Sequence, residues 1–146
     1  HGGAVASAAG YIVEGQGTAT PVLGVLNGIF YNAATTLKPT FANHYVQVTP
    51  ANSEDIDAFV FDNPQQQYVV AIDNTLAQAG YLETYDMNTS AGSLTTGQSS
   101  ATLDHDDTSA DADSWRLLRS AEDPENDENS AFRSVVVVAN LIELQS

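Results

Sequence analysis

The stretch NSEDIDAFVFDNPQQQYVVAID, from Asn52 to Asp73, decides the fold. Ile56, Ala58 and Val60 alternate with Asp57, Phe59 and Phe61, and Tyr68, Val70 and Ile72 alternate with Val69, Ala71 and Asp73. A period of two in β-branched and aromatic residues marks a strand, whose successive side chains point to opposite faces. Between the runs stands Asp62-Asn63-Pro64. Asp and Asn bond nearby backbone and proline presets φ, so these residues read as a sharp turn and the stretch as a hairpin. Phe59, Phe61 and Tyr68 bring large apolar areas, which means both faces of the ribbon need cover. Two strands alone are not stable in water, so the flanking segments are expected to complete a sheet, sandwich or barrel.

Working outward, Tyr11-Ile12-Val13 and Tyr45-Val46-Gln47-Val48 read as short strands. Val22 to Leu26 and Ile29 to Tyr31 flank Asn27-Gly28, the dipeptide most typical of a two-residue hairpin turn. Asn74 to Gly80 reads as one short helical turn, with Asn74 or Thr75 to cap its start and Gly80 its end. Strands follow at Tyr81 to Met87 and Trp115 to Arg119, and a closing one lies within Phe132 to Leu144. The continuous valines Val135 to Val138 fit a central strand buried on both faces. Asn88 to Gln98, Asp104 to Asp113 and Ala121 to Ser130 read as loops by composition. Residues 1–10, HGGAVASAAG, lack periodicity and read as a flexible arm before a β-domain spanning residues 11–146. With about eight to ten short strands and no sustained helical period, the fold class is all-β, a small barrel or sandwich. The chain opens on His1-Gly2-Gly3 without methionine, so further residues are expected upstream.

Composition narrows the function. The chain has 146 residues, enough to bury a real core. It has no cysteine, which excludes disulfides and thiolate metal sites. No apolar run reaches the ~18 residues of a membrane-spanning helix, so no membrane partner is expected. Nineteen acids stand against Lys38 and three arginines, for a net charge of -15. Such a surface repels phosphate backbones and argues against a nucleic-acid partner. It favours solubility and suits salty surroundings.

Catalytic patterns are missing. No Gly-x-Ser-x-Gly elbow or phosphate-cradling Gly-x-x-x-x-Gly-Lys loop occurs. His1, His44 and His105 stand far apart in unlike contexts. Asp104-His105-Asp106-Asp107 with Asp111 and Asp113 is the most metal-like cluster, and its carboxylates suit calcium, yet it lacks the central glycine and closing glutamate of the twelve-residue calcium loop. It reads as a solvated acidic segment, as do the acids of Glu122 to Glu128. The expectation is therefore no enzyme, no cofactor and no metal.

Four pieces, in order, carry a resemblance to the capsid decoration (cement) proteins of tailed bacteriophages. They are PVLGVLNGIFYN at Pro21 to Asn32, IDAFVFDNPQQQYVVAID at Ile56 to Asp73, TLAQAGYLETYDM with AGSLTTGQSSATLD, and WRLLRSAEDPENDENSAFRSVVVVANLIEL. Together they cover roughly residues 20–144. The resemblance implies a virion structural protein on the outer surface of an icosahedral capsid, stabilising contacts between major capsid subunits. The expected partners are the major capsid protein and further copies of the chain, as a dimer or trimer. Val5, Tyr11, Trp115, Arg119, Phe132 and Arg133 are the expected contact residues, since Trp and Arg concentrate at interface hot spots. Two other functions fit the composition. One is a subunit of an extracellular filament or surface layer from a salt-adapted microbe. The other is a carbohydrate-binding or hydrolytic β-domain with Tyr31, Tyr45 and Trp115 as a sugar platform.

Overall fold

Ten strands form two antiparallel sheets in the computed structural model, which describes residues 3–15, 21–45, 49–88, 90–109, 113–127 and 129–140. The first sheet holds β1 (Ala4–Ala8), β2 (Tyr11–Glu14), β3 (Gly24–Asn32), β4 (Pro39–Ala42) and β5 (Asp57–Phe61). The second holds β6 (Gln67–Ala71), β7 (Thr84–Asn88), β8 (Thr102–Ser109), β9 (Trp115–Ser120) and β10 (Ser134–Ala139). The all-β expectation holds, as an arrangement of two sheets and not as a closed barrel.

The strands flanking Asp62-Asn63-Pro64 are both present, but they do not pair with each other. β5 pairs with β3, and β6 with β10, so the turn carries the chain from one sheet into the next. The turn itself is as expected: the Gln66 amide donates to the Asn63 carbonyl and the Gln65 amide to the Asn63 side chain, each at 3.0 Å. The valines of β10 decide the pairing. Val135, Val136 and Val137 are buried, and a strand so apolar needs a neighbour on each edge, which β6 and β9 supply.

Three further expectations change. Residues 1–10 include β1, whose Ala4, Val5 and Ala6 are buried and which pairs with both β2 and β3. Small residues give little hydrophobic pattern to read, yet they let strands approach closely. Asn27-Gly28 makes no hairpin: β3 runs through it, with a register shift against β5 between Leu26 and Gly28. A side chain at Gly28 would meet the Phe41 ring at 2.7 Å and the Ala42 carbonyl at 2.9 Å, so the glycine makes room instead of turning. The acidic segment at Asp104 is largely strand. β8 pairs with β7, and Leu103 is its fully buried anchor. Charged residues are common on a strand with one open edge.

The helical turn near residues 74–80 is a 3-10 turn, Gln78–Gly80, entered through an extended Ala77 without a side-chain cap. Asn74 instead accepts from the Thr75 amide at 2.8 Å. Of the strand expected at Tyr45 to Val48, residues 46–48 lie outside the described residues, as do 141–144 of the closing strand.

In the first sheet β3 is central, with β5 on one flank and β1 and β4 at opposite ends of the other. The second sheet runs β6-β10-β9-β7-β8 and curls, so that its end strands approach at the parallel bridge Ile72–Leu103. The Asp73 amide donates to the Leu103 carbonyl there, and the Asp73 carboxylate accepts from the His105 amide at 2.9 Å. The core lies mostly inside this curl: Ile72, Leu76, Tyr85, Leu103, Trp115, Leu117, Val135 and Val137, joined by Ala4 and Val22 from the first-sheet half of the chain.

Candidate interaction surface

Side chains directly opposite in antiparallel strands share a face, and this rule assembles an aromatic patch on the first sheet. Phe30 stands opposite Phe41, and Phe59 stands opposite Gly28, two residues along β3 from Phe30 and so on the same face. Phe61 follows Phe59 by two residues, on the same face of β5. The Phe41 and Phe59 rings lie 6.1 Å apart and tilted by 41°. All four remain in contact with solvent: Phe30 is 37% exposed, Phe41 61%, Phe59 47% and Phe61 48%. Asp57, opposite Phe30, places a carboxylate on the same face.

The opposite face of this sheet is apolar too. Leu26, Ile29, Ile56 and Ala58 line a cleft of about 770 Å³ bounded by Tyr11, Ile12 and Val13 of β2. A free antiparallel sheet normally turns one polar face to water. Here both faces carry apolar side chains, and among the described residues nothing covers the aromatic ones.

Charge divides along the same line. Residues 1–61 contain four acids, Glu14, Glu54, Asp55 and Asp57, with Lys38, while the other 15 acids and all three arginines follow residue 61. The aromatic patch thus belongs to the weakly charged half of the chain. On the second sheet, Asp107 has its pKa raised, first by loss of hydration and then by repulsion from Asp86, Asp113 and Asp104. Among the described residues no three His, Asp or Glu side chains converge as a metal site, and Asp111 lies outside them.

The structure separates the six expected contact residues. Val5, Trp115 and Arg133 are buried and serve packing, so they offer no surface to a partner. Trp115 meets the Tyr68 ring edge-on with centroids 5.7 Å apart, and Arg133 lies over the Tyr81 ring and donates to its hydroxyl. Tyr11 and Phe132 are well exposed, Phe132 with a φ of 61° that a bulky residue rarely adopts. Arg119 is exposed and pairs with Glu122 at 3.5 Å. Of the proposed sugar platform, Trp115 is in the core, whereas Tyr31 is half-buried on β3 and Tyr45 exposed. None of the four phenylalanines was among the expected contacts. Their signal was the alternation of Phe59 and Phe61 against Ala58 and Val60, which gives β5 two apolar faces.

No protein-family model, no curated protein and no solved structure matches the chain.

Proposed function

We propose that the protein is a structural component of a virus particle, a decoration protein that binds the outer surface of an icosahedral shell and ties neighbouring major capsid subunits together. The observation that carries this reading is the exposed quartet Phe30, Phe41, Phe59 and Phe61 on the weakly charged half of a very acidic chain. Aromatic side chains with few rotatable bonds anchor protein interfaces at low entropic cost. An interface centred on this sheet would leave the acidic segments of the second sheet toward solvent, where they limit nonspecific association. Repetition of one modest contact over a symmetric shell multiplies its effect.

The test is sedimentation of the purified protein with shells of the parent virus stripped of it, comparing the wild type with a Phe41→Ser/Phe59→Ser variant. Stoichiometric co-sedimentation of the wild type, lost in the variant, is the expected result. Failure of the wild type to bind any shell, or its incorporation into a helical fibre, would overturn the proposal.

A further inference from the structure

We infer that the unclosed seam of the second sheet is a binding site for a small, uncharged, largely apolar molecule. Between the end strands the described residues form one bridge, Ile72–Leu103. Beside β6 lies a cavity of about 430 Å³ between the two sheets. Tyr68 and Val70 of β6, Met87 of β7, Trp115 of β9 and Val137 of β10 line it, with Val25 of the first sheet opposite. Gln98 and Ser99, both exposed, and the half-buried Ala101 border it on the loop leading into β8.

Three features specify the occupant. The space is a cleft partly open to solvent, and Tyr68, Val70, Met87, Trp115 and Val137 give it an apolar floor beside the polar Gln98 and Ser99. Second, none of the described lining residues is charged, in a chain with 19 acids. An ion would lose its hydration here without a compensating partner, so the ligand is neutral. Third, Trp115 and Tyr68 already meet at 87°, the edge-to-face geometry that a further ring can extend.

Trp115 is the only tryptophan of the chain, so its emission reports on this cavity. The experiment titrates the full chain with N-phenyl-1-naphthylamine, a neutral apolar fluorophore that accepts energy from tryptophan. Saturable one-to-one binding with matching loss of Trp115 emission is expected. Ala101→Phe and Ser99→Phe, placed at the border of the cavity and checked for folding by circular dichroism, should each weaken binding about tenfold, or 1.4 kcal/mol. Absence of saturable quenching overturns the inference. So does binding unchanged in both folded border variants, or binding lost in Phe41→Ser, which would put the probe on the aromatic face instead.

Discussion

The Tyr68 hydroxyl donates to the Phe61 carbonyl at 3.0 Å, fastening the first residues of the second sheet to the last strand of the first. The bond spans the turn at Asn63 and sits where the chain changes sheets. Burial, and next the charge of Asp62, raise the Tyr68 pKa, so the hydroxyl keeps the proton it donates. Tyr68→Phe keeps the ring against Trp115 and removes only this bond. It should lower stability by about 1 kcal/mol, measured as a lower urea midpoint at unchanged m-value.

Asn126 holds the loop between β9 and β10. Its side-chain amide donates to the Ala121 carbonyl at 3.1 Å and the Ser134 carbonyl at 2.9 Å, and its oxygen accepts from the Ser134 amide at 2.8 Å. Asn126→Ala strips partners from half-buried backbone and should cost about 2 kcal/mol. Asn126→Asp should not recover that loss, because it can still accept from Ser134 but sets a carboxylate oxygen against the two carbonyls the amide donated to. Chemical denaturation of the two variants side by side checks this.

At Gly28 a methyl group would press on the Phe41 ring and the Ala42 carbonyl. Gly28→Ala should therefore destabilise by about 1–3 kcal/mol, the usual penalty of overpacking. Gly10, with a φ of 83° and open space around it, would instead suffer from its backbone angle alone. In Gly28→Ala/Phe41→Ala much of the loss should return if the ring is the main obstacle. Little recovery would point to the carbonyl.

Asp107 is a carboxylate whose pKa is raised in the folded chain above its unfolded value. Between those two values the folded state binds more protons, so stability falls as pH rises through the window from the ordinary carboxylate range to the raised value. Below that window the group contributes no penalty. Asp107→Asn should raise stability at neutral pH and flatten this part of the pH profile, measured by thermal melts across the acid range.

Truncation on the aromatic face should leave the fold largely intact. Phe59→Ala removes the contact with Phe41, worth about 0.5–1.5 kcal/mol, together with the covered half of the side chain, and should cost less than truncation of a fully buried residue. Leu117→Ala, fully buried in the second sheet, should cost about 2–5 kcal/mol. The two melting curves together separate a side chain kept for contact from one kept for packing.

Alternation made β5 and β6 readable, and unbroken runs of β-branched and aromatic residues did the same for β2 and the closing valine strand. Pairing was not readable from the same signal. Asp62-Asn63-Pro64 predicts a turn, but which edges join afterwards depends on the demand of Val135 to Val137 for two neighbours, far away in the chain. β1 was hidden by alanines, and β8 by a run of carboxylates that has the composition of a loop. Tryptophan and arginine suggested contact residues by type alone, and the same chemistry suits a core: Trp115 fills space and Arg133 covers Tyr81. The phenylalanines of β5 were visible as a second apolar face. Their exposure depends on no other described element covering this face, which no local pattern encodes.

The chain completes one sheet before it begins the other, since strands β1 to β5 lie between residues 4 and 61 and strands β6 to β10 between 67 and 139. Every ladder of the first sheet can therefore close during synthesis before the second half has left the ribosome. A cut in the turn at Pro64 would also divide the protein into two pieces, each with all the strands of one sheet, which makes this turn the natural place to split the chain and ask whether the halves reassemble.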